Sequence, residues 1–254
     1  MTKILVLPDL QIKPEDDLTY IDRYSQYILD KRPDVIVQIG DFADMPSLSS
    51  YDQGKLGFEG RRYTKDVECV HDALQRLFLP LFQLQANQIV NKKKVYKPRT
   101  VITLGNHEGR ITRAINNDAK LEGLISVEDL NFKGYFDEVY PFLEVVVIEG
   151  VAFSHYFSTG VAGRPSSTAQ AQLNKQHMSC VAGHQQGLQI ATAHRADGTR
   201  LTSIIAGSGY EHDEEYLGAQ GNQHWRGCLM LHEVKDGGFD LMPVSLNYLK
   251  GKYK

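Results

Sequence analysis

Side chains that bind metal ions or carry protons follow five short apolar runs of the sequence. These segments are Asp9-Leu10-Gln11, Gly40-Asp41-Phe42-Ala43-Asp44, Gly105-Asn106-His107-Glu108, His155 and Gly183-His184-Gln185-Gln186. Carboxylate and amide oxygens are hard ligands and imidazole nitrogens are borderline, so the mixture suits divalent Mn, Fe, Zn, Co or Ni. A glycine precedes Asp41, Asn106 and His184, and glycine permits the sharp turn that returns a ligand over a strand end. The residue types predict a site for a pair of divalent metal ions.

The apolar runs indicate buried β-strands, which would position those side chains. They cover residues 4–7, 35–39, 101–104, 151–154 and 180–182. Between the first two, Leu18, Ile21, Tyr24 and Ile28 fall at helical spacing, which predicts a β-α-β unit and a partly parallel sheet. In open α/β sheets, ligands bind beyond the carboxyl ends of the strands. We therefore expect the five segments to converge on one crevice.

Further elements are predicted between and after these strands. Residues 64–91 have helical periodicity, with Pro80 expected to kink or split the helix. Three late segments, 201–205, 227–234 and 239–246, indicate strands joined by glycine-rich turns. Pro243 should place the last of these strands at a sheet edge, because proline has no backbone N–H to donate to a neighbouring strand.

Composition limits the class of protein. A chain of 254 residues with 42% hydrophobic and 23% charged residues can bury the core of one α/β domain. The formal net charge of -3 provides no global attraction to nucleic acid or to a membrane, so polyanion binding would have to be local. The cysteines, Cys69, Cys180 and Cys228, are odd in number and far apart, which argues against a disulfide framework and for a reducing cytoplasm. No apolar run has the length of a signal peptide or of a membrane span, so we expect a cytoplasmic protein.

Three motifs together carry a family resemblance. The order G-D-x-x-D at 40–44, G-N-H-E at 105–108 and G-H at 183–184 resembles the calcineurin-like metallophosphoesterase superfamily, over roughly residues 4–186. The resemblance implies an α/β fold of two packed mixed β-sheets flanked by helices, the metallophosphoesterase four-layer sandwich. It also implies a single domain over 1–254, with a cap insert at 45–99, and hydrolysis of a phosphoester by a metal-activated hydroxide.

The resemblance also assigns metal ligands by position. Asp41 would bridge two ions; Asn106, His155 and His184 would complete the second metal site, and Asp9, Gln11 and Gln186 would complete the first metal site. The family usually has histidine where this chain has Gln11 and Gln186. A carboxamide oxygen is a weaker donor than imidazole toward zinc or iron but is compatible with manganese or magnesium. We expect one or two ions per chain, with Mn favoured over Ni, Co, Zn, Fe or Mg, and a first metal site that is weak, selective for harder ions, or empty.

Two further roles follow from the resemblance. His107 belongs to neither ligand set, so it is available to protonate the leaving alkoxide as the general acid, with Asp44 fixing its tautomer. Arg110, two residues after Glu108, is placed to meet a phosphate. Arg164 and Arg226 lie on loops that could do the same.

Several alternatives stay open at the level of the sequence. The favoured activity is that of a phosphodiesterase, acting on nucleic acid or a nucleotide. A phosphomonoesterase or protein phosphatase is the alternative, and the 45–99 insert, which carries Arg61, Arg62 and the lysines at 92–94, would decide between them. A non-catalytic scaffold is favoured by Gln11 and Gln186 but disfavoured by the retained His107 and Asp44. The oligomeric state is not predictable.

The remaining candidate residues also have ordinary structural interpretations. Glu108 could be a helix N-terminal acid, and an isolated G-D-x-x-D is more often a turn than a metal site. Histidines outside the motifs are expected in surface or core positions; these are His71, His177, His194, His224 and His232. His212, in the acidic loop 210–215, is the exception, because it could lend an outer ligand to the first metal site.

Overall fold

Strands and helices alternate along the part of the chain that this computed structural model describes, which is residues 1–160, 162–214 and 217–253. The strands are β1 (Thr2–Leu7), β2 (Val35–Gln38), β3 (Arg99–Thr103), β4 (Glu138–Tyr140), β5 (Val146–Ile148), β6 (Val151–Ser154), β7 (Cys180–Ala182), β8 (Leu188–His194), β9 (Arg200–Ala206), β10 (Gly227–Lys235) and β11 (Gly238–Ser245). The α-helices are α1 (Thr19–Lys31), α2 (Tyr63–Val90), α3 (Gly109–Asn117), α4 (Ala169–Gln176), α5 (Gly218–Gly221) and α6 (Leu246–Lys252). Short 3-10 helices lie at Pro46–Leu48, Leu56–Phe58, Ala119–Leu121, Val127–Leu130 and Phe132–Gly134.

These strands form two mixed sheets. In the described residues the first sheet has six strands in the order β11-β10-β1-β2-β3-β4, and the second has five in the order β5-β6-β7-β9-β8. β1 to β4 are parallel neighbours, as are β6, β7 and β9, whereas β10, β11, β5 and β8 join as antiparallel strands. The carboxyl ends of β1, β2, β3, β6 and β7 are followed by the five polar segments.

Alternation along the first strand explains how the layers pack. Ile4 and Val6 on β1 enter the apolar core shared by both sheets, while Leu5 and Leu7 enter the core beneath α1 and α2. Successive strand side chains point to opposite faces, and here both faces are covered. Helix α4 packs on β8 and β9, on the far side of the second sheet. The result is four layers of helix, sheet, sheet and helix, which confirms the predicted fold class.

Most predicted elements are confirmed, with two differences. The three short or half-exposed strands β4, β5 and β8 were not predicted, and neither were the helices α3, α4, α5 and α6. Helix α2 runs unbroken through Pro80 rather than splitting there. One turn earlier, the carbonyl of Leu77 accepts a hydrogen bond of 2.8 Å from the hydroxyl of Ser25 on α1, which ties the two helices together. β11 lies at the edge of its sheet, as Pro243 predicts.

The segment predicted as a cap divides into two parts. Helix α2 buries Val70, Leu74, Leu77 and Phe78 in the core beneath the first sheet, so it belongs to the helical layer. Only the loop before it, residues 46–62, borders the crevice at the strand ends. Any capping function is therefore proposed for 46–62 alone. No helix of the described residues is long and apolar enough to cross a membrane.

Candidate metal centre

Four predicted ligands meet where the two sheets end. Ligand atoms of Asp41, His155 and His184 all lie within 4.8 Å of one another. Asn106 lies between the histidines, with its Oδ1 2.9 Å from Nε2 of His155 and 2.8 Å from Nδ1 of His184. The structure thus brings together the residues predicted for the second metal site.

The pKa values of the two imidazoles at this site are shifted in opposite directions. Nδ1 of His155 donates to the carbonyl of Ile39 at 3.0 Å, which directs Nε2 toward the cluster. Burial lowers the pKa of His155, but the charges of Asp41 and Asp9 outweigh it and raise the pKa to about 9. Burial and the charge on His155 lower the pKa of His184 to about 4. A metal ion bound at Nε2 of His155 would compete with the proton that these buried carboxylates favour.

Buried carboxylates supply the reason for a cation here. Asp9 and Asp41 are both almost completely buried. Burial and the charge of Asp41 together raise the pKa of Asp9 to about 7, against the opposing charge of His155. One Asp9 oxygen accepts the backbone N–H of His184 at 3.1 Å, while Oδ2 has no hydrogen-bond partner among the described residues. A buried, unpartnered carboxylate oxygen fits a cation at the first metal site.

The glycines before the ligands act in two different ways. Gly40 has a φ of +93°, in the region that favours glycine, as the predicted sharp turn requires. Gly105 does not have a positive φ, but a Cβ there would lie 2.1 Å from Oδ1 of Asp41, so this glycine provides space for the carboxylate. Gly183 does the same for Asp9, with a Cβ position 2.3 Å from Oδ1.

Glu108 has a role that sequence reasoning missed. It is completely buried, and its two carboxylate oxygens accept three backbone N–H groups: from Ala43 at 2.8 Å, Gly105 at 2.7 Å and Asp41 at 3.1 Å. These bonds join the loop after β2 to the loop after β3. The adjacent G-N-H motif was the available signal, but the partners in the β2 loop are 65 and 67 residues away.

Glutamine at position 108 should destabilise the fold. Glu108→Gln keeps one acceptor oxygen and turns an NH2 group toward backbone N–H donors, so we expect a loss of about 2 to 4 kcal/mol in the free energy of unfolding. Urea denaturation measures this, with the exposed Glu122→Gln as the matched control. If the Glu108 and Glu122 variants were equally stable, Glu108 would not be needed to hold the β2 and β3 loops together.

His107 and Asp44 form a close pair beside this cluster. Nδ1 of His107 lies 2.6 Å from Oδ1 of Asp44, and its backbone N–H donates to Oδ1 of Asp41 at 2.9 Å. Burial raises the pKa of Asp44, but the hydrogen bond from His107 and the charges of His107 and Arg110 lower it overall, so the carboxylate is ionised. Burial lowers the pKa of His107, but Asp41 and Asp44 raise it overall. The pair thus raises the pKa of an imidazole whose Nδ1 faces Asp44 and whose Nε2 lies beside Arg110.

Arg110 contacts this pair directly. Its Nη1 donates to the carbonyl of Asp44 at 2.7 Å and to the Asp44 carboxylate at 3.1 Å. Its Nη2 lies 3.3 Å from Nε2 of His107. Arg110 therefore lies at the site; contact with a phosphate stays a prediction.

Gln11, Gln186 and Arg226 were also predicted at the site, and the structure places each of them as follows. Gln11 is buried, and its backbone N–H donates to the carbonyl of Asp41 at 2.8 Å. Gln186 is partly buried, two residues after His184. Arg226, suggested for phosphate, instead donates to the carbonyl of Glu211 at 2.7 Å.

His212 is held between two carboxylates rather than at the first metal site. Its Nδ1 lies 2.8 Å from Asp16, its Nε2 lies 2.7 Å from Glu214, and its ring stacks on Tyr210 at 4.3 Å. Each nitrogen of His212 therefore lies close to a carboxylate oxygen. Glu215 of the same loop lies outside the described residues.

Comparison with known proteins agrees with this arrangement. The family model for calcineurin-like phosphoesterases matches residues 2–217, and the chain belongs to that family. It is similar to the Gene 54 protein of Mycobacterium phage L5, with 27% identity over 198 residues, covering 75% of this chain and 72% of the phage protein. The Gene 54 protein of Mycobacterium phage D29 is 27% identical over 200 residues, with the same coverage of 75% and 72%. Among solved structures it is similar to Yfce, a phosphoesterase from E. coli, with a TM-score of 0.41 and 13% identity, covering 96% of this chain and 100% of that one.

Proposed function

We propose that this phosphoesterase is a metal-dependent phosphodiesterase with His107 as its general acid. The observation that carries the proposal is the convergence of Asp41, Asn106, His155 and His184 directly beside the His107–Asp44 pair. A scaffold has no need of a proton donor held at 2.6 Å by a carboxylate. This argues for catalysis over a purely structural role.

Each metal site has a proposed ligand set. Asp41, Asn106, His155 and His184 would hold the second ion, and Asp9, Gln11, Asp41 and Gln186 the first, with manganese favoured. When bound, such ions neutralise phosphoryl oxygens and lower the pKa of bound water.

The chain's own residues would then divide the proton transfer and the binding. His107 delivers a proton to the leaving oxygen, and Asp44 holds its Nδ1–H so that Nε2 faces the substrate. Arg110 offers guanidinium donors next to that nitrogen and would contact a phosphoryl oxygen. A cavity of about 460 Å³ extends beyond His107 and Arg110. Room for a second ester group favours a diester over a monoester.

A screen of activity against metal ions tests the proposal. The apoprotein, reloaded separately with Mn, Co, Ni, Zn, Fe or Mg, is assayed on bis-p-nitrophenyl phosphate and on p-nitrophenyl phosphate. We expect the highest kcat/KM on the diester with manganese. A preference for the monoester would favour a phosphomonoesterase, and inactivity with every ion would favour a scaffold.

The first metal site should bind zinc weakly because of its two carboxamides. Gln11→His together with Gln186→His should tighten zinc binding there by about 10-fold or more. Changes in groups that merely surround metal ligands already alter metal affinity by about that factor, so a change of the ligands themselves should do at least as much. Manganese affinity should change less. Calorimetric titration after one equivalent has filled the second metal site measures this, with the exposed Gln75→His as control. If the unaltered protein binds two zinc ions equally tightly and the double variant binds them no tighter, the glutamines do not weaken the site.

A further inference from the structure

The cavity beyond His107 has two unlike walls. One wall is the site itself, with Gln11, Asp44, His107 and Arg110. The other wall comes from the loop 46–62, and Glu214 closes one end; the loop residues at this wall are Ser49, Tyr51, Asp52 and Lys55. Because the proposed general acid faces this space, the leaving alcohol of a phosphodiester would lie here. At about 460 Å³ the cavity falls within the range of pockets that hold whole small-molecule ligands.

Tyr51 presents an aromatic ring at the edge of this cavity. Its side chain is 85% exposed, so most of the ring has no packing partner within the chain. Its neighbour Asp52 is fixed, because one oxygen accepts from Lys55 at 2.9 Å and the other from Arg61 at 2.9 Å. Arg61 also donates to the carbonyl of Pro46 at 3.0 Å. The loop is therefore braced, while the ring is available for stacking.

Two cations at the cavity, Lys55 and Arg110, can contact an anionic occupant. Each carboxylate already has a cation within 3.1 Å: Asp44 pairs with Arg110, Asp52 with Lys55 and Arg61, and Glu214 with Lys13. Among the residues that line the cavity, two cations, Lys55 and Arg110, lie beside three carboxylates. Lys55 is 63% exposed at its side chain, so it can contact an incoming anion without leaving a buried position.

We propose that the leaving group is a nucleoside, whose base stacks on Tyr51 and whose next phosphate contacts Lys55. A planar ring followed by a second anion is the repeating unit of single-stranded nucleic acid, and stacking on an aromatic side chain accepts any base. The proposal rests on the proposed function, because it assigns the substrate class of the same site. Tyr51 and Lys55 become its specificity-determining residues.

The test is a double-mutant cycle in which the ring of Tyr51 and the base that it would contact are removed separately and together. Two dinucleoside monophosphates are compared, one complete and one lacking the base on the leaving nucleoside, in the manganese-loaded protein. Tyr51→Ala should lower kcat/KM for the complete substrate by about 10- to 100-fold and much less for the abasic one. Tyr51→Phe keeps the ring and should retain most of the activity. Tyr248→Ala removes a tyrosine on α6 that is 46% exposed and serves as the matched control.

A second arm measures binding and the role of Lys55. Fluorescence anisotropy with a labelled single-stranded trinucleotide, in the inactive His107→Ala background, should show weaker binding for Tyr51→Ala. Lys55→Gln should weaken binding of the trinucleotide more than that of the dinucleotide, since only the longer chain supplies the next phosphate.

The outcomes separate the two proposals. Equal losses on the complete and abasic substrates, or no loss, would overturn the role of Tyr51. Turnover of bis-p-nitrophenyl phosphate without turnover of any dinucleotide would overturn the nucleoside proposal and leave the phosphodiesterase standing. Inactivity toward bis-p-nitrophenyl phosphate would overturn the proposed function itself.

Discussion

Replacing His107 by alanine should lower kcat by about 10²- to 10⁴-fold, the usual contribution of a positioned general acid. The physical reason is that the leaving alkoxide would depart without a proton from Nε2. The loss should be smaller for a p-nitrophenyl diester than for an alkyl diester, because p-nitrophenolate is the more stable anion. Initial rates on both substrates, with the same metal ion loaded, measure the difference.

Metal content and a second histidine control for indirect effects of that change. Elemental analysis should give the same number of ions in the variant as in the unaltered protein, because His107 belongs to neither ligand set. His194→Ala, on the half-exposed strand β8, should leave the rates unchanged. Equal losses on good and poor leaving groups would instead assign His107 a purely positional role.

Gly105→Ala should remove tight metal binding and destabilise the fold. The added Cβ would lie 2.1 Å from Oδ1 and 2.3 Å from the backbone nitrogen of Asp41, so the ligand loop must move. Overpacking of this kind costs about 1–3 kcal/mol. Displacement of Asp41, which is proposed as a ligand at both metal sites, would weaken binding at both. Urea denaturation of the apoprotein and calorimetric titration with manganese measure the two effects separately.

A glycine far from the site supplies the comparison for this change. At Gly251, in α6, a Cβ would meet no atom within 4 Å. Alanine should be neutral there or stabilise by up to about 1 kcal/mol, because it lowers the entropy of the unfolded chain. Unchanged manganese affinity in Gly105→Ala would show that the loop tolerates the methyl group and that the close approach is not required.

The sequence predicts the framework wherever burial is complete. The strands at the centre of both sheets are covered on two faces, so they occur as uninterrupted apolar runs and were predicted. β4 and β5 have only three residues each, and β8 is half-exposed, so neither length nor apolar periodicity distinguishes them from loops. Their pairing depends on neighbours that are remote in the sequence.

For the candidate site, the sequence predicted the ligands but not the contacts between the loops that hold them. The ligand types and their order predicted which side chains would meet, because parallel strands end at a common edge. The sequence alone does not indicate that Arg110 is bonded to Asp44, that His212 is held by two carboxylates, or that Gly105 leaves room for Asp41. Each of these depends on distances between loops, and no periodicity encodes such distances.

The three bonds made by Glu108 have a consequence for functional screening. In a saturation library scored only by turnover, position 108 would tolerate almost no substitution and would rank beside residues that contact the phosphoryl group. Its two carboxylate oxygens instead accept three backbone N–H groups. Scoring the same library for protein abundance as well as turnover would separate it, since Glu108 variants should lose both together whereas His107 variants should lose turnover alone.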